Sequence, residues 1–179
     1  MHDFADLGGG LCLGGYETAA CPYLMQELGI THILRIMKST RTRPTHFKSY
    51  SYMSLDIGDE EKESEKLGAA FGKAFAFISQ GVAGNGKVYV HCAAGISRSP
   101  CVCLAYLMKE RGLSLEEART LVKQVRPQVC PNAGFEEQLR KLETELRASS
   151  QSPQSGWTLG GWLSGWLPGP RKAVQPKNA

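Results

Sequence analysis

Hydrophobic positions along most of the chain fall into two alternating patterns. Short runs rich in β-branched and aromatic residues have the length and composition of buried strands, and they lie at 11–13, 30–36, 50–55 and 87–90. Other apolar residues recur at helical spacing, such as Phe71, Phe75 and Ile78, which we expect to face the core from a helix capped by Ser64. Because strand, helix and strand follow one another, the pattern favours parallel crossover connections.

Local signals place the ends of the later helices. The apolar segment after Arg98 stops at Gly112, a residue suited to a helix C-terminus. Ser114 and Glu117 form a capping box that opens the next helix, and Pro127 ends that helix. A final helix is predicted from an apolar stripe made of Phe135, Leu139, Leu142 and Leu146.

One stretch places reactive residues where a predicted strand meets a predicted helix. After the strand at 87–90 come His91 and Cys92, then a short loop containing Gly95, and then Arg98. In such a turn, successive backbone N–H groups can point into one bowl and bind phosphate with the help of the helix dipole. The loop is not a nucleotide-binding Walker A loop, because it lacks the Gly-Lys-Ser/Thr sequence.

The residues of this bowl predict phosphoryl transfer to a cysteine. A thiol at a helix N-terminus beside a cation becomes more acidic, so we expect Cys92 to be largely thiolate and placed for in-line attack on phosphorus. The planar guanidinium of Arg98 can hold two phosphate oxygens, and Ser99 can hydrogen-bond the sulfur. This chemistry needs neither a metal ion nor a cofactor. The competing interpretation is a buried structural cysteine that precedes an arginine by chance.

This stretch resembles the signature of cysteine-dependent protein tyrosine phosphatases, most closely the dual-specificity branch in its small, atypical type. The resemblance covers residues 8–147 and implies an α/β fold whose central mixed, largely parallel sheet is flanked by helices. It implies hydrolysis of phosphotyrosine and phosphoserine/threonine in proteins through a phosphocysteine intermediate. His91 would orient the site, and the phosphate would be bound by Ala93, Ala94, Gly95, Ile96, Ser97 and Arg98.

Departure of the substrate oxygen requires a proton donor. In the resembled family a tyrosine-led strand runs into a loop that carries this acid, and here Asp59 follows Tyr52 by seven residues. The segment from Asp59 to the next helix is slightly longer than usual, so Asp56 is an alternative. An asparagine matching Asn132 braces the phosphate loop in the family, whereas the plain interpretation of Asn132 is a turn or cap residue.

Two other functions stay open at this stage. The chain could be a catalytically weak scaffold that binds phosphorylated proteins without cleaving them. It could also hydrolyse a non-protein phosphate ester, although Ala93 and Ala94 stand where relatives with strongly anionic substrates tend to place lysine or histidine. The physiological substrate and the oligomeric state do not follow from the residues.

Composition divides the 179 residues into a domain at 1–147 and a flexible tail at 148–179. The net charge of +4 comes mostly from the tail, which has three basic residues and no acids, so the domain offers no basic surface for nucleic acid. Acidic residues stand where a secretory signal needs basic ones. We therefore expect six reduced cysteines, of which all except Cys92 are small apolar core residues. We also expect a cytoplasmic location, with the nucleus open to a protein of this size.

Two segments outside the predicted core carry weaker signals. The tail is rich in Ser, Gly and Pro, but at 159–167 leucine and tryptophan recur at helical spacing ahead of two basic residues. This segment either folds on a membrane surface or a partner, or is disordered without a role. A basic segment near the predicted pocket mouth is either a substrate-attracting loop or a solvated one; it contains Arg35, Lys38, Arg41, Arg43 and Lys48.

Overall fold

Residues 3–38 and 49–151 are described by the computed structural model, and at their centre lies a five-stranded sheet. The strands are β1 (Phe4–Asp6), β2 (Leu11–Gly14), β3 (His32–Ile36), β4 (Ser51–Leu55) and β5 (Val88–His91). Their spatial order is β1-β2-β5-β3-β4, with β1 antiparallel to β2 and every other pair parallel. This architecture confirms the predicted mixed, largely parallel sheet.

Helices cover both faces of the sheet. They are α1 (Tyr16–Ala19), α2 (Pro22–Glu27), α3 (Ser64–Val82), α4 (Arg98–Arg111), α5 (Leu115–Val125) and α6 (Ala133–Gln151). The capping box at Ser114 is present, and Gly112 has the left-handed conformation expected after α4. The prediction that Ser64 caps α3 is wrong, because a 3₁₀ turn at Glu61–Glu63 runs directly into the helix.

The larger core lies between the sheet and helices α3 to α6. Helix α4 is buried along most of its length, as its apolar circumference requires, and the expected inward face of α3 is buried as well. A smaller core lies on the opposite face, beneath α1 and α2. Side chains of β5 alternate between the two: Val88 and Val90 enter the larger core, whereas Tyr89 enters the smaller one.

The connections place the reactive residues at one edge of the sheet. Strands β2, β5, β3 and β4 run in the same direction, so their carboxyl ends lie together. The chain leaves β5 into residues 92–97 and leaves β4 into residues 56–60, which brings the predicted phosphate loop and the predicted acid to the same edge. Crevices at this edge are the usual ligand sites of open α/β sheets.

The predicted domain boundary falls inside a helix. Helix α6 continues to Gln151, whereas the tail was expected to begin at residue 148. The apolar stripe at 159–167 and most of the basic segment, residues 39–48, lie outside the described residues. Among the helices of the described ranges, none combines the length and the hydrophobicity that crossing a bilayer demands.

Candidate active site

The nucleophile candidate lies where β5 gives way to the phosphate loop, here defined as residues 92–98. Cys92 is 1% exposed, at the base of the loop. Its Sγ accepts a hydrogen bond from the Oγ of Ser99, in the first turn of α4, at 3.2 Å. The sulfur therefore lies beside a helix N-terminus and a hydroxyl donor, as the sequence predicts.

The backbone of the phosphate loop is held from outside through its carbonyl groups. The carbonyl of Ala93 accepts a 2.9 Å hydrogen bond from the N–H of Tyr16, at the start of α1. The carbonyl of Ile96 accepts a 2.8 Å hydrogen bond from the N–H of Cys130, between α5 and α6. Because a C=O and the next N–H of a trans peptide point in opposite directions, each carbonyl held outward turns the following amide inward.

The two carbonyl groups between these anchors are bound by Arg126. Its Nε donates to the carbonyl of Gly95 at 2.7 Å, and its Nη2 donates to that of Ala94 at 2.8 Å. The guanidinium is 3% exposed and also pairs with the carboxylate of Asp3. The N–H groups of residues 93–97 donate to no acceptor in the described part of the chain. They are thus available to bind an oxyanion.

Gly95 is required at the tightest point of the phosphate loop. Its φ of +64° lies in the left-handed region. A Cβ at this position would lie 2.5 Å from the backbone carbon and oxygen of Gly14 on β2. The close approach of loop and strand therefore excludes any side chain.

Arg98 brings a second cation to the phosphate loop. Its side chain is 10% exposed, and its Nη1 lies 3.4 Å from the carbonyl oxygen of Ile57. Its Nε lies 3.5 Å from a carboxylate oxygen of Asp59 but has no hydrogen-bond acceptor among the described residues. Donors of this guanidinium can therefore still be used by a ligand in the phosphate loop.

The carboxylate that contacts the phosphate loop is that of Asp59. The Oγ of Ser97 donates to its Oδ1 at 2.6 Å, and the Nδ2 of Asn132 donates to the same oxygen at 3.3 Å. Asn132 also donates its N–H to Ser97 and accepts from the N–H of Phe135 at the start of α6. It thus contacts the site and caps a helix at once. Asp59 therefore lies against the phosphate loop, where the predicted acid is needed.

A family model for the dual specificity phosphatase catalytic domain matches residues 11–145. The chain belongs to the dual specificity phosphatase family. It is 37% identical over 142 residues to dual specificity protein phosphatase 1 of Arabidopsis thaliana, which covers 79% of this chain and 70% of that protein. Human dual specificity protein phosphatase 1 is 36% identical over 147 residues, or 82% of this chain and 39% of the human protein.

A solved structure of a mouse dual specificity phosphatase complexed with zinc tungstate has the same fold. Its TM-score is 0.74 at 32% identity, and the match covers 86% of this chain and 94% of the mouse chain. These findings confirm the family that the signature resembles. The chain spans 35–39% of the length of several curated relatives.

Next to the nucleophile candidate, His91 is a buried neutral side chain. It is 2% exposed, and its Nδ1 lies 3.1 Å from the carbonyl oxygen of Cys92, so that nitrogen carries the proton and donates. Burial lowers the pKa of His91 to about 4; the bond to the carbonyl opposes this shift, and the nearby charge of Arg35 adds to it. A buried neutral group at this position fits the predicted orienting role better than proton transfer at neutral pH.

The loop that carries Asp59 is tied to the exit of β3. The Nζ of Lys38 lies 3.2 Å from a carboxylate oxygen of Glu60 and 3.1 Å from one of Glu63. The Nζ of Lys66 donates to the carbonyl of Asp56. Lys38 was predicted to belong to a basic loop, but its ammonium group pairs with the carboxylates of Glu60 and Glu63.

The other cysteines divide into two groups. Burial raises the pKa of the Cys12, Cys101 and Cys103 thiols, which are therefore protonated at neutral pH. Cys21 and Cys130 are exposed, so the expectation that the remaining cysteines fill the core is wrong for these two.

The structure thus brings together the predicted site residues, whose roles stay predictions. Sequence reasoning missed the groups that hold them, namely Arg126, the amides of Tyr16 and Cys130, and Lys38. For these supporting groups the sequence offers one signal, the Arg126-Pro127 pair, which lies in the same family-like segment as Asn132.

Proposed function

We propose that this chain is a cysteine-dependent phosphatase that hydrolyses phosphotyrosine and phosphoserine/threonine in proteins. The observation that carries the proposal is the sulfur of Cys92 at the base of a loop whose amides are free to bind an oxyanion. The tungstate in the related mouse structure is itself a tetrahedral oxyanion, which supports phosphate binding by the same family fold. Phosphorylated proteins are the corresponding partners.

The reaction follows from the positions of four side chains. The thiolate of Cys92 attacks phosphorus, and the P–O bond to the leaving group breaks as Asp59 gives that oxygen a proton. Arg98 and the loop amides bind the equatorial oxygens and balance the charge that develops on them. Asp59 then takes a proton from water, which attacks phosphorus. The sulfur leaves as a thiolate, stabilised by the hydroxyl of Ser99.

The test is turnover of p-nitrophenyl phosphate and of phosphopeptides. Cys92→Ser should abolish turnover while keeping ligand binding. Asp59→Ala should lower the rate with aryl phosphates by roughly 10²–10⁴, and Asp56→Ala is the matched control that should leave it unchanged. The reverse result would assign the acid to Asp56, and wild-type protein without turnover on any phosphate ester would favour a binding scaffold.

The same assay separates protein from non-protein substrates. The phosphate loop presents methyl groups at Ala93 and Ala94, and both residues are exposed. A loop without basic side chains there offers no extra charge to a polyanionic ester. We expect phosphopeptides to be hydrolysed faster than inositol phosphates, and the opposite order would reassign the substrate class.

Two proposals concern the whole chain. The apolar stripe at 159–167, followed by Arg171 and Lys172, supports binding of the tail to a membrane surface. Co-sedimentation with anionic vesicles, compared between residues 1–179 and 1–151, tests this, and pelleting that does not depend on the tail would contradict it. Imaging of the full chain in cells would test the proposed cytoplasmic and nuclear location.

A further inference from the structure

A third buried guanidinium, besides those of Arg98 and Arg126, lies on the face of the sheet opposite α4. Arg35 is 5% exposed in β3. Its Nη1 donates to the carbonyl of Met37 at 3.1 Å and to the Oγ of Ser54 at 3.0 Å, and its Nη2 donates to the carbonyl of Lys38 at 3.2 Å. All three acceptors are uncharged. The buried Nε of Arg35 has no acceptor among the described residues.

No carboxylate balances the charge of Arg35. All 17 acidic residues of the chain lie within the described ranges, and none of them forms an ion pair with Arg35. Burying a charge is costly unless it is paired as well as hydrogen-bonded. A purely structural role, in which Arg35 stabilises the end of β3, explains the contacts of Nη1 and Nη2. It does not explain why the positive charge is unpaired or why Nε has no acceptor among the described residues.

Arg35 lines a hollow next to the phosphate loop. The walls include Tyr16, Tyr52 and His91, and the exposed Ala20 lies at the rim. Arg35 and His91 are partners in the ladder between β3 and β5, and His91 is bonded to Cys92. The backbone of Tyr16 holds the first carbonyl of the phosphate loop. Two residues that line the hollow, Tyr16 and His91, therefore also hydrogen-bond to the phosphate loop.

We propose that this hollow binds a second oxyanion, a phosphate or carboxylate group, through Arg35. The anion supplies the counter-charge that the described residues do not provide. Nε is buried in this structure, so the anion accepts from it only when the side chains of the lining move apart. Because His91 is neutral, Arg35 is the one cation among the described residues of the lining. The anion has two possible sources: a second group on the substrate, or a free anion such as inorganic phosphate. The substrate source rests on the proposed function, whereas anion binding does not.

The binding step is tested by NMR of the arginine Nε–H signals during titration with inorganic phosphate. The protein is Arg98→Met, in which the catalytic loop lacks its guanidinium, and ionic strength is held constant with chloride. The Arg35 signal should shift and saturate as its Nε–H gains an acceptor. Arg111, whose guanidinium also donates to backbone carbonyls, is the control and should not respond. Arg35→Lys identifies the signal.

The source of the anion is tested with two peptides, one carrying phosphotyrosine alone and one carrying a second phosphate two residues away. If the substrate supplies the anion, wild-type kcat/KM should be about tenfold higher for the doubly phosphorylated peptide, as one charge-assisted hydrogen bond allows. Arg35→Gln should lose this preference, and Arg111→Gln should keep it. Equal kcat/KM values with a saturating NMR shift assign the site to a free anion.

Two results would overturn the proposal, and both are measured on protein that keeps Arg35. One is an Arg35 Nε–H signal that does not respond to phosphate or to the doubly phosphorylated peptide. The other is a response equal to that of Arg111, which would indicate general screening. If wild-type protein hydrolyses neither peptide, the proposed function fails while the NMR result for anion binding stands.

Discussion

Replacing Arg126 by methionine is expected to damage both the stability and the activity of the phosphatase. The variant loses two charge-assisted hydrogen bonds to the carbonyls of Ala94 and Gly95. Each is worth about 1.5–3 kcal/mol, so the free energy of unfolding should fall by roughly 3–6 kcal/mol. Asp3 adds little to this loss, because its side chain is 34% exposed and can be solvated.

The expected loss of unfolding free energy determines the temperature at which activity is measured. One kcal/mol lowers the melting temperature of a domain of this size by about 2–4 °C, so the variant should melt roughly 6–24 °C below wild type. Turnover is then measured well below that temperature, where the protein is folded. A catalytic loop misplaced by about 1 Å can cost about 10²-fold in rate, and we expect a loss of that order in kcat/KM.

A matched variant separates the two effects. Arg119 makes a bidentate pair with Glu136, at 2.8 and 2.7 Å, between α5 and α6. Arg119→Met should destabilise the fold by a similar amount, about 3–5 kcal/mol, yet leave kcat/KM of the folded enzyme unchanged. Wild-type kcat/KM in folded Arg126→Met protein would refute the idea that this residue holds the phosphate loop in its active shape.

Three further predictions follow from other contacts. Lys38→Met should slow hydrolysis of esters with poor leaving groups by about tenfold but spare good ones, because it loosens the loop that carries the acid; equal losses for both would argue against this. Gly95→Ala should abolish activity, whereas Gly112→Ala, also at positive φ but in open space, should cost only about 1 kcal/mol in thermal unfolding. His91 has a folded pKa of about 4, below its ordinary 6.5, so it withholds a proton that the unfolded chain binds. Stability should fall between pH 6.5 and 4 by at most about 1.4 kcal/mol per pH unit. His91→Asn should lose that part of the slope in urea titrations at pH 7 and 5.

Most of the fold could be predicted from local sequence patterns. The inward face of α3, the left-handed Gly112 and the capping box at Ser114 each depend on residues within a few positions of one another, and all are found where the spacing predicts them. Strand β1 was missed, because three residues at a sheet edge are too short to show a period.

The candidate reacting groups of the site could be predicted from the sequence, but the residues that hold them in place could not. Cys92 and Arg98 are seen because strand, loop and helix are consecutive. Arg126 lies 31 residues from the carbonyl of Gly95 that it binds, and no local pattern announces such a contact. Choosing between Asp59 and Asp56 likewise depends on how a loop folds back onto Ser97. The buried charge of Arg35 looked like part of a basic loop, since burial is not visible in a single sequence.

The carboxylate at the very start of the described chain has a practical consequence. Asp3 grips the same guanidinium that shapes the phosphate loop, and its carbonyl accepts from Thr18 and Tyr89. A bulky fusion placed just ahead of Asp3 would disturb its ion pair with Arg126. Because Arg126 binds the carbonyls of the phosphate loop, that disturbance would be passed on to the loop. Affinity handles are therefore better attached at the other end, and a purified protein with an unexpectedly poor rate should first be compared with the same chain freed of its leading extension.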